Sequence, residues 1–508
     1  MDYDKIRQSY QAQDFPSIQL GEIVVGDHLL SESPVNLVLK SLNRHGLIAG
    51  ATGSGKTKTI QVLCEQLSQN GVPAMVMDIK GDISGLAAHG ENSEKLTARN
   101  QSMQLLFKPR AFSCELLTLD DKDIGIPVRA RLDEMGPLLF SRMLELNDTQ
   151  SGVITVLFEY AKNEKMALID LADIKALLKF AQTDKGKTEI QKHFGAVSSS
   201  SIGAVLRKII ELESQNADSF FGEPAFEVND LLRHNANGEG ILSILRLMDM
   251  QDKPKLFSTF MLKLLSDIYR AMPETGDLDK PKLVVFIDEA HLIFKQATRE
   301  LLSLIDTMVK LIRSKGVGLI FCTQTPNDIP DAVLSQLGLK IQHALRAFTA
   351  KDRKAMRLVA QNFPPSDIYN TEQLLTSLGI GEALVSALNA KGVPTPLIHC
   401  RIRAPESRMG VLEAKEASII VTQSSLAGKY GQRIERESAM EVLKKQAETA
   451  VEAKNTEQNS SEGKNSSSVS ALETLTKNTL FRQVIRQIAR QITNAFLALF
   501  KTSGRKRK

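Results

Sequence analysis

GLIAGATGSGKTKTI, residues 46–60, is the stretch from which the fold can be read. An apolar run, Leu47–Ala49, enters a turn with glycine at 50, 53 and 55, and Lys56 and Thr57 open a segment whose pattern predicts a helix. Gly50-Ala51-Thr52-Gly53-Ser54-Gly55-Lys56-Thr57 matches GxxxxGK[ST] at every position. The glycines let the backbone curl so that its N–H groups face phosphate oxygens, and a helix N-terminus adds a favourable dipole. In that frame Lys56 reaches the β- and γ-phosphates of ATP, and Thr57 ligates Mg²⁺.

Working outward, a strand at 46–49 is followed by a helix that Asn70-Gly71 stops. PAMVMDIKGDISG, 73–85, reads as a buried parallel-type strand ending in a polar turn. Strand, loop, helix, strand is the opening unit of a doubly wound sheet. From 86 to 238, segments such as LLFSRMLEL and TVLFEYAK predict a mostly helical insertion. Strand texture returns at 240–245, 282–288, 317–324, 340–346 and 383–388, with helices at 255–272 and 297–314. The expected organisation is therefore a short N-terminal segment (1–45), an α/β core (46–85 and 239–403), the insertion (86–238) and a helical extension (404–450). A Ser/Asn-rich flexible linker (451–471) and a final segment, 472–508, follow.

Hydrolysis needs an acidic site beside the phosphate cradle, and LVVFIDEAH supplies one. Five apolar residues drive a central strand, and Asp288 emerges at its carboxyl end, where such sheets bind ligands. Asp288 is placed to hold Mg²⁺ and Glu289 to polarise the attacking water as general base. The next strand ends in Gln324, which can contact the γ-phosphate or simply form the turn before Pro326. Arg313, just before that strand, suits charge stabilisation in phosphoryl transfer, with Arg346 a weaker competitor. The charged turn Asp78-Ile79-Lys80-Gly81-Asp82 lies on the same sheet edge and can either face the water and Mg²⁺ or cap structure.

These pieces together resemble the HerA-like branch of the HerA/FtsK ATPases. RHGLIAGATGSGKT, MDIKGDISG, VVFIDEAH and RSKGVGLIFCTQTP carry the resemblance, across about residues 40–403. It implies a RecA-like core with an additional strand, a homo-oligomer that is commonly a hexameric ring, and movement along double-stranded DNA. It also matches Gly50–Thr57 to the P-loop, Asp288 and Glu289 to the Walker B pair, Gln324 to the polar sensor and Arg313 to the trans-acting arginine. Archetypal members carry an N-terminal β-barrel, of which 45 residues hold only a fragment, so pairing with a nuclease partner stays open. Asp288-Glu289-Ala290-His291 also spells DEAH, but no second RecA-like domain with a QRxGRxGR-type element follows, so a superfamily-2 helicase is not expected. Turnover of ATP to drive DNA movement is the leading reading. Remodelling of a protein partner, for which a membrane surface is one possible setting, is the alternative.

Composition bounds the rest. At 508 residues, 42% hydrophobic and 24% charged, the chain suits a globular protein of two or three structural units. Cys64, Cys114, Cys322 and Cys400 form no CxxC pair, so neither a zinc site nor a disulfide framework is expected. The N-terminus has no signal-peptide pattern and no apolar run nears about 18 residues, so a cytoplasmic protein is expected. Net charge is +5, yet the last 31 residues hold eight Lys/Arg and no acid, which leaves the remainder at −3. In that tail Phe481, Ile485, Ile488, Ile492, Phe496 and Leu499 form one stripe of a helix, with Arg482, Arg486 and Arg490 on another side. Such a helix can pack on the protein itself, hold a partner, lie on an anionic membrane or track phosphates. Deleting 472–508 should leave basal ATPase activity largely intact. It should reduce self-association or binding to anionic liposomes or DNA, the latter two most steeply at low salt. Light scattering, cosedimentation and gel shift across a salt series read these losses, and three unchanged results would remove the tail as an interaction element.

Overall fold

Runs of buried apolar residues set the strands. The computed structural model describes residues 3–449 except 13, 121, 249–251, 277 and 297–298; the expected linker (451–471) and basic helix (472–508) lie outside the described residues. In chain order the strands are β1 Ser17–Val25, β2 His28–Val38, β3 Gly46–Ala49, β4 Ala74–Asp78, β5 Cys114–Thr118 and β6 Ile126–Pro127. They continue as β7 Leu242–Arg246, β8 Leu283–Ile287, β9 Val317–Thr323, β10 Leu339–His343, β11 Glu382–Ser386 and β12 Ile398–Ile402. All twelve join one sheet in the order β2-β1-β12-β11-β10-β3-β9-β8-β4-β7-β5-β6. From β10 to β6 every pairing is parallel. From β10 through β11, β12 and β1 to β2 every pairing is antiparallel. The chain is thus α/β with a large, mostly parallel sheet, and β9 is the additional strand between β3 and β8.

Strand alternation gives the sheet two apolar faces. Met75 and Met77 of β4 face the same side as Val285 of β8 and Leu319 of β9. Ala74 and Val76 face the other, with Val284 and Ile320. Both sides are buried, which explains why β4, β8 and β9 read as continuous apolar runs rather than as alternating ones. One face is covered by the helices Pro254–Ala271 and Arg299–Ile312 and by the helices between 132 and 213. The other is covered by the helix Lys56–Gln69 through Ile60, Leu63 and Leu67.

Residues up to Leu443 form one unit. The stretch 86–238 contributes β5 and β6 as well as six α-helices among the described residues, from Glu94–Ser102 to Ser199–Glu213. Helix starts there are locally encoded: Asn147 accepts from the Gln150 N–H, and Asp170 from those of Ala172 and Asp173. Residues 404–430 run back over this unit. Tyr430 is fully buried, its hydroxyl donates to Asp230, and Arg129 donates to its carbonyl.

Before reaching Tyr430 the chain crosses the helix Lys56–Gln69 as a strap. Glu65 on that helix is buried, and its carboxylate accepts from the N–H groups of Glu406 and Ser407, both at 2.9 Å, and from the Ser407 hydroxyl at 2.6 Å. Lys58 donates to the Met409 carbonyl and Gln61 to that of Arg408. Glu65→Ala leaves two N–H groups and a hydroxyl without an acceptor, at about 1–3 kcal/mol for each that stays dry, and should cost about 3 kcal/mol or more, read as a lower urea midpoint. Glu65→Gln, which keeps one acceptor oxygen, should cost less.

Candidate active site

The loop 50–55 closes over itself and over its neighbours in the sheet. At Gly50, φ is +154° and a Cβ would stand 2.5 Å from the Cβ of His343, so only glycine fits. The Ala51 N–H donates to the Ala344 carbonyl at 2.8 Å, tying the loop to the end of β10. Gly55 has φ +113° and caps the helix that starts at Lys56 without offering a side chain. The first-turn N–H groups therefore face the loop rather than a capping oxygen, as an anion site requires. Lys56 is buried, and its ammonium donates to the carbonyls of Gly50 at 2.6 Å and Ala51 at 3.2 Å. Burial lowers its pKa, and the Lys80 ammonium adds to that. Ala51, Ser54 and Thr57 complete the loop, and Thr52 and Gly53 are its exposed tip.

His343 braces this loop from beneath. It is fully buried, and burial pushes its pKa down to about 4, so the ring is neutral. Nδ1 lies 2.9 Å from the Glu382 carbonyl, which can only accept, so Nδ1 carries the proton. Nε2, 2.9 Å from Thr59 Oγ1, then accepts from the hydroxyl. The Gly381 N–H donates to the Ser54 carbonyl at 3.0 Å, and Arg99 holds the Gly381 carbonyl at 2.7 Å. Nothing in the local sequence marks His343 or Arg99, because both act across long chain separations.

Asp288 and Glu289 follow β8 at the same sheet edge, each 4% exposed. Asp288 Oδ2 has no hydrogen-bond partner among the described residues. Burial raises the Asp288 pKa to about 7, with the Glu289 charge adding and Lys80 opposing. Glu289 sits at φ +46°, a left-handed conformation that a non-glycine residue adopts at a cost of about 1–3 kcal/mol. Lys80 Nζ forms an ion pair with its Oε1, and His291 Nδ1 lies 3.1 Å from Oε2. Neither carboxylate oxygen has a well-aligned hydrogen bond among the described residues. The contacts are therefore electrostatic, and in so buried a place charge proximity is the stronger constraint.

The other residues singled out in the sequence divide between the two ends of the sheet. Asp78 caps its own turn, accepting from the N–H groups of Gly81 at 2.7 Å and Ile83 at 3.1 Å. Burial raises its pKa to about 6. Gln324 is exposed at the carboxyl end of β9, one residue past Thr323, which donates to Asp328. Arg346 is exposed on the loop after β10. Arg313 is exposed before β9, at the opposite edge of the sheet. Seven strand residues at about 3.3 Å each put it roughly 20 Å from Gln324, so this chain does not bring Arg313 to its own loop.

A divalent ion fits this donor set. Asp288 Oδ2 is a buried oxygen in want of a ligand, and no cluster of three or more His, Cys, Asp or Glu among the described residues offers a cage. One carboxylate plus one hydroxyl, with phosphates and water completing the shell, is how Mg²⁺ is commonly held beside nucleotides.

Comparison with known proteins identifies the family and the fold. The model of the family described as "Helicase HerA-like C-terminal" matches residues 26–507. The "DNA double-strand break repair helicase HerA" of Saccharolobus solfataricus is 22% identical over 369 residues, which cover 72% of this chain and 66% of that relative. Its namesake from Sulfolobus acidocaldarius is 24% identical over 379 residues, covering 74% of this chain and 68% of that one. The chain thus spans about two thirds of the length of these relatives. Among solved structures, the "plasmid coupling protein TrwB in complex with ADP and Mg2+" superposes with a TM-score of 0.51 at 15% identity, over 78% of this chain and 97% of that one.

The Asp288 value lies above that of an unfolded aspartate, about 4, so the stability tied to it is fully present below that pH and is lost as pH rises through about 7. The melting temperature of the nucleotide-free protein should fall over this range. Asp288→Asn should flatten the fall and melt about 2–4 °C or more above wild type near pH 8. Calorimetry in a pH series reads both, and an unaltered slope in the variant would remove Asp288 as its source.

Proposed function

The chain belongs to the HerA-like helicase family of P-loop ATPases, and on that premise we propose that it is a Mg²⁺-dependent ATP hydrolase working as a ring-forming motor on DNA. One observation carries the reading: the loop with Lys56 and the pair Asp288–Glu289 open on the same edge of a parallel sheet, with one strand, β9, between them. Gly50–Thr57 cradle the triphosphate, and Lys56 exchanges its loop carbonyls for phosphate oxygens. Thr57 and Asp288 hold Mg²⁺, which when bound neutralises charge on the β- and γ-phosphates. Glu289 takes the proton of the attacking water, and Gln324 orients that water against the γ-phosphate.

Arg313 supports an assembly. It is too far to serve its own loop, so it can complete a site only on a neighbouring subunit, and a hexameric ring repeats that contact around an axis. The names of the two archaeal relatives favour DNA as the substrate. TrwB bound to ADP and Mg²⁺ favours the same cofactors here.

Glu289→Gln should retain ATP binding and lose about 100-fold or more in kcat, because the water loses its base while the cradle stays intact. Lys56→Ala should weaken both binding and turnover. Mixing Arg313→Ala with Glu289→Gln subunits should recover activity, since some interfaces then pair an intact Arg313 with an intact Glu289. Wild-type turnover in Glu289→Gln, or full activity of a monomer, contradicts the model. Stimulation of ATPase activity by duplex DNA tests the substrate, and its absence would favour a protein partner instead.

A further inference from the structure

Lys80 belongs to neither the phosphate loop nor the acidic pair, yet it touches both electrostatically. β4 and β8 are adjacent and parallel, with Met77 opposite Ile287, so residues two or three beyond each strand end meet at one edge. The turn carrying Lys80 is fixed by the Asp78 carboxylate, which takes the N–H groups of Gly81 and Ile83. It is fixed again from outside by the strap, whose Leu412 N–H donates to Ser84 Oγ at 3.1 Å. From this braced position Lys80 Nζ pairs with Glu289 Oε1. The two partners differ in freedom: the Lys80 side chain is 37% exposed and that of Glu289 only 5%. The lysine stem can therefore swing while the carboxylate cannot, and the Lys80 charge already acts on Lys56 in the phosphate loop.

Resting on the reading of Glu289 as the base, we propose that Lys80 is a positioning residue that holds Glu289 in a silent ion pair and restrains turnover. The oxygen engaged by the ammonium is withheld from the water whose proton it would take. The γ-phosphate is the competing anion. When it draws the ammonium across, Glu289 is released at the moment substrate is present.

The test uses the full chain with Lys80→Met, which keeps the stem without the charge, Lys80→Arg, Glu289→Gln and the double variant Lys80→Met/Glu289→Gln. Lys80→Met should raise kcat about threefold or more, with affinity for a fluorescent ATP analogue changed by less than about twofold. Lys80→Arg, which can still pair, should stay near wild type, and the double variant should be inactive. In the nucleotide-free protein, the melting shifts of the two single substitutions should be non-additive, the double variant losing less than their sum. A Lys80→Met enzyme at or below the wild-type rate with binding intact overturns the restraint, and additive melting shifts overturn the pair. Turnover surviving in Glu289→Gln would instead overturn the assignment of the base, while the melting cycle would still report whether the pair exists.

Discussion

The carboxyl ends of β3 and β8 stand two strand positions apart because β9 lies between them. At about 4.8 Å per step, roughly 10 Å separates the strand that delivers the glycine loop from the strand that delivers Asp288. A phosphate chain with a small cation fits such a gap. Parallel pairing of β3, β9, β8 and β4 is what puts the loop, Gln324, the acidic pair and the Lys80 turn on one edge. It also puts Arg313 on the other, since β9 has only two ends. The buried apolar runs that drive these strands together therefore set the spacing of the chemistry.

The same edge concentrates groups that a stability-driven sequence would avoid. Asp78, Asp288 and Glu289 are carboxylates almost without solvent, Lys56 is a buried ammonium, and Glu289 takes a left-handed backbone. Each is unfavourable alone, and their mutual compensation is incomplete: Asp288 Oδ2 has no donor among the described residues and Lys56 rests on backbone carbonyls. Such concentrations persist where the surrounding structure overdetermines them. Here the surroundings are two apolar faces of a twelve-strand sheet and a neutral His343 wedged under the loop.

Much of this was legible in the sequence because its signals are local. GxxxxGK[ST] needs only eight consecutive residues, and LVVFIDE announces both a buried strand and the carboxylates that end it. The strands expected at 46–49, 73–85, 240–245, 282–288 and 317–324 correspond to β3, β4, β7, β8 and β9. What was not legible is non-local. β12 pairs on one side with β11 and on the other with β1, nearly the whole described chain away, and no periodicity in LIHCRI declares that partner. Of the two fates left open for the Asp78–Asp82 turn, capping is the one Asp78 takes, while Lys80 makes a contact the turn's sequence does not declare, an ion pair with Glu289. His343 reads as an ordinary strand residue until the loop it supports is folded beside it.

The strap shows why a buried carboxylate can be better than an apolar residue on the inner face of a helix. A leucine at position 65 would bury more apolar surface, but it would leave the N–H groups of Glu406 and Ser407 and the Ser407 hydroxyl without an acceptor. Three orphaned donors outweigh one side chain's worth of transfer free energy, about 1.5–3 kcal/mol. Apolar contact is also indifferent to register, whereas two N–H groups from consecutive residues accept only one alignment on a carboxylate. That alignment fixes where Arg408, Met409 and Leu412 fall, and hence the contacts with Gln61, Lys58 and Ser84. Glu65 thus sets the register of a segment that touches both the helix behind the phosphate loop and the turn that carries Lys80.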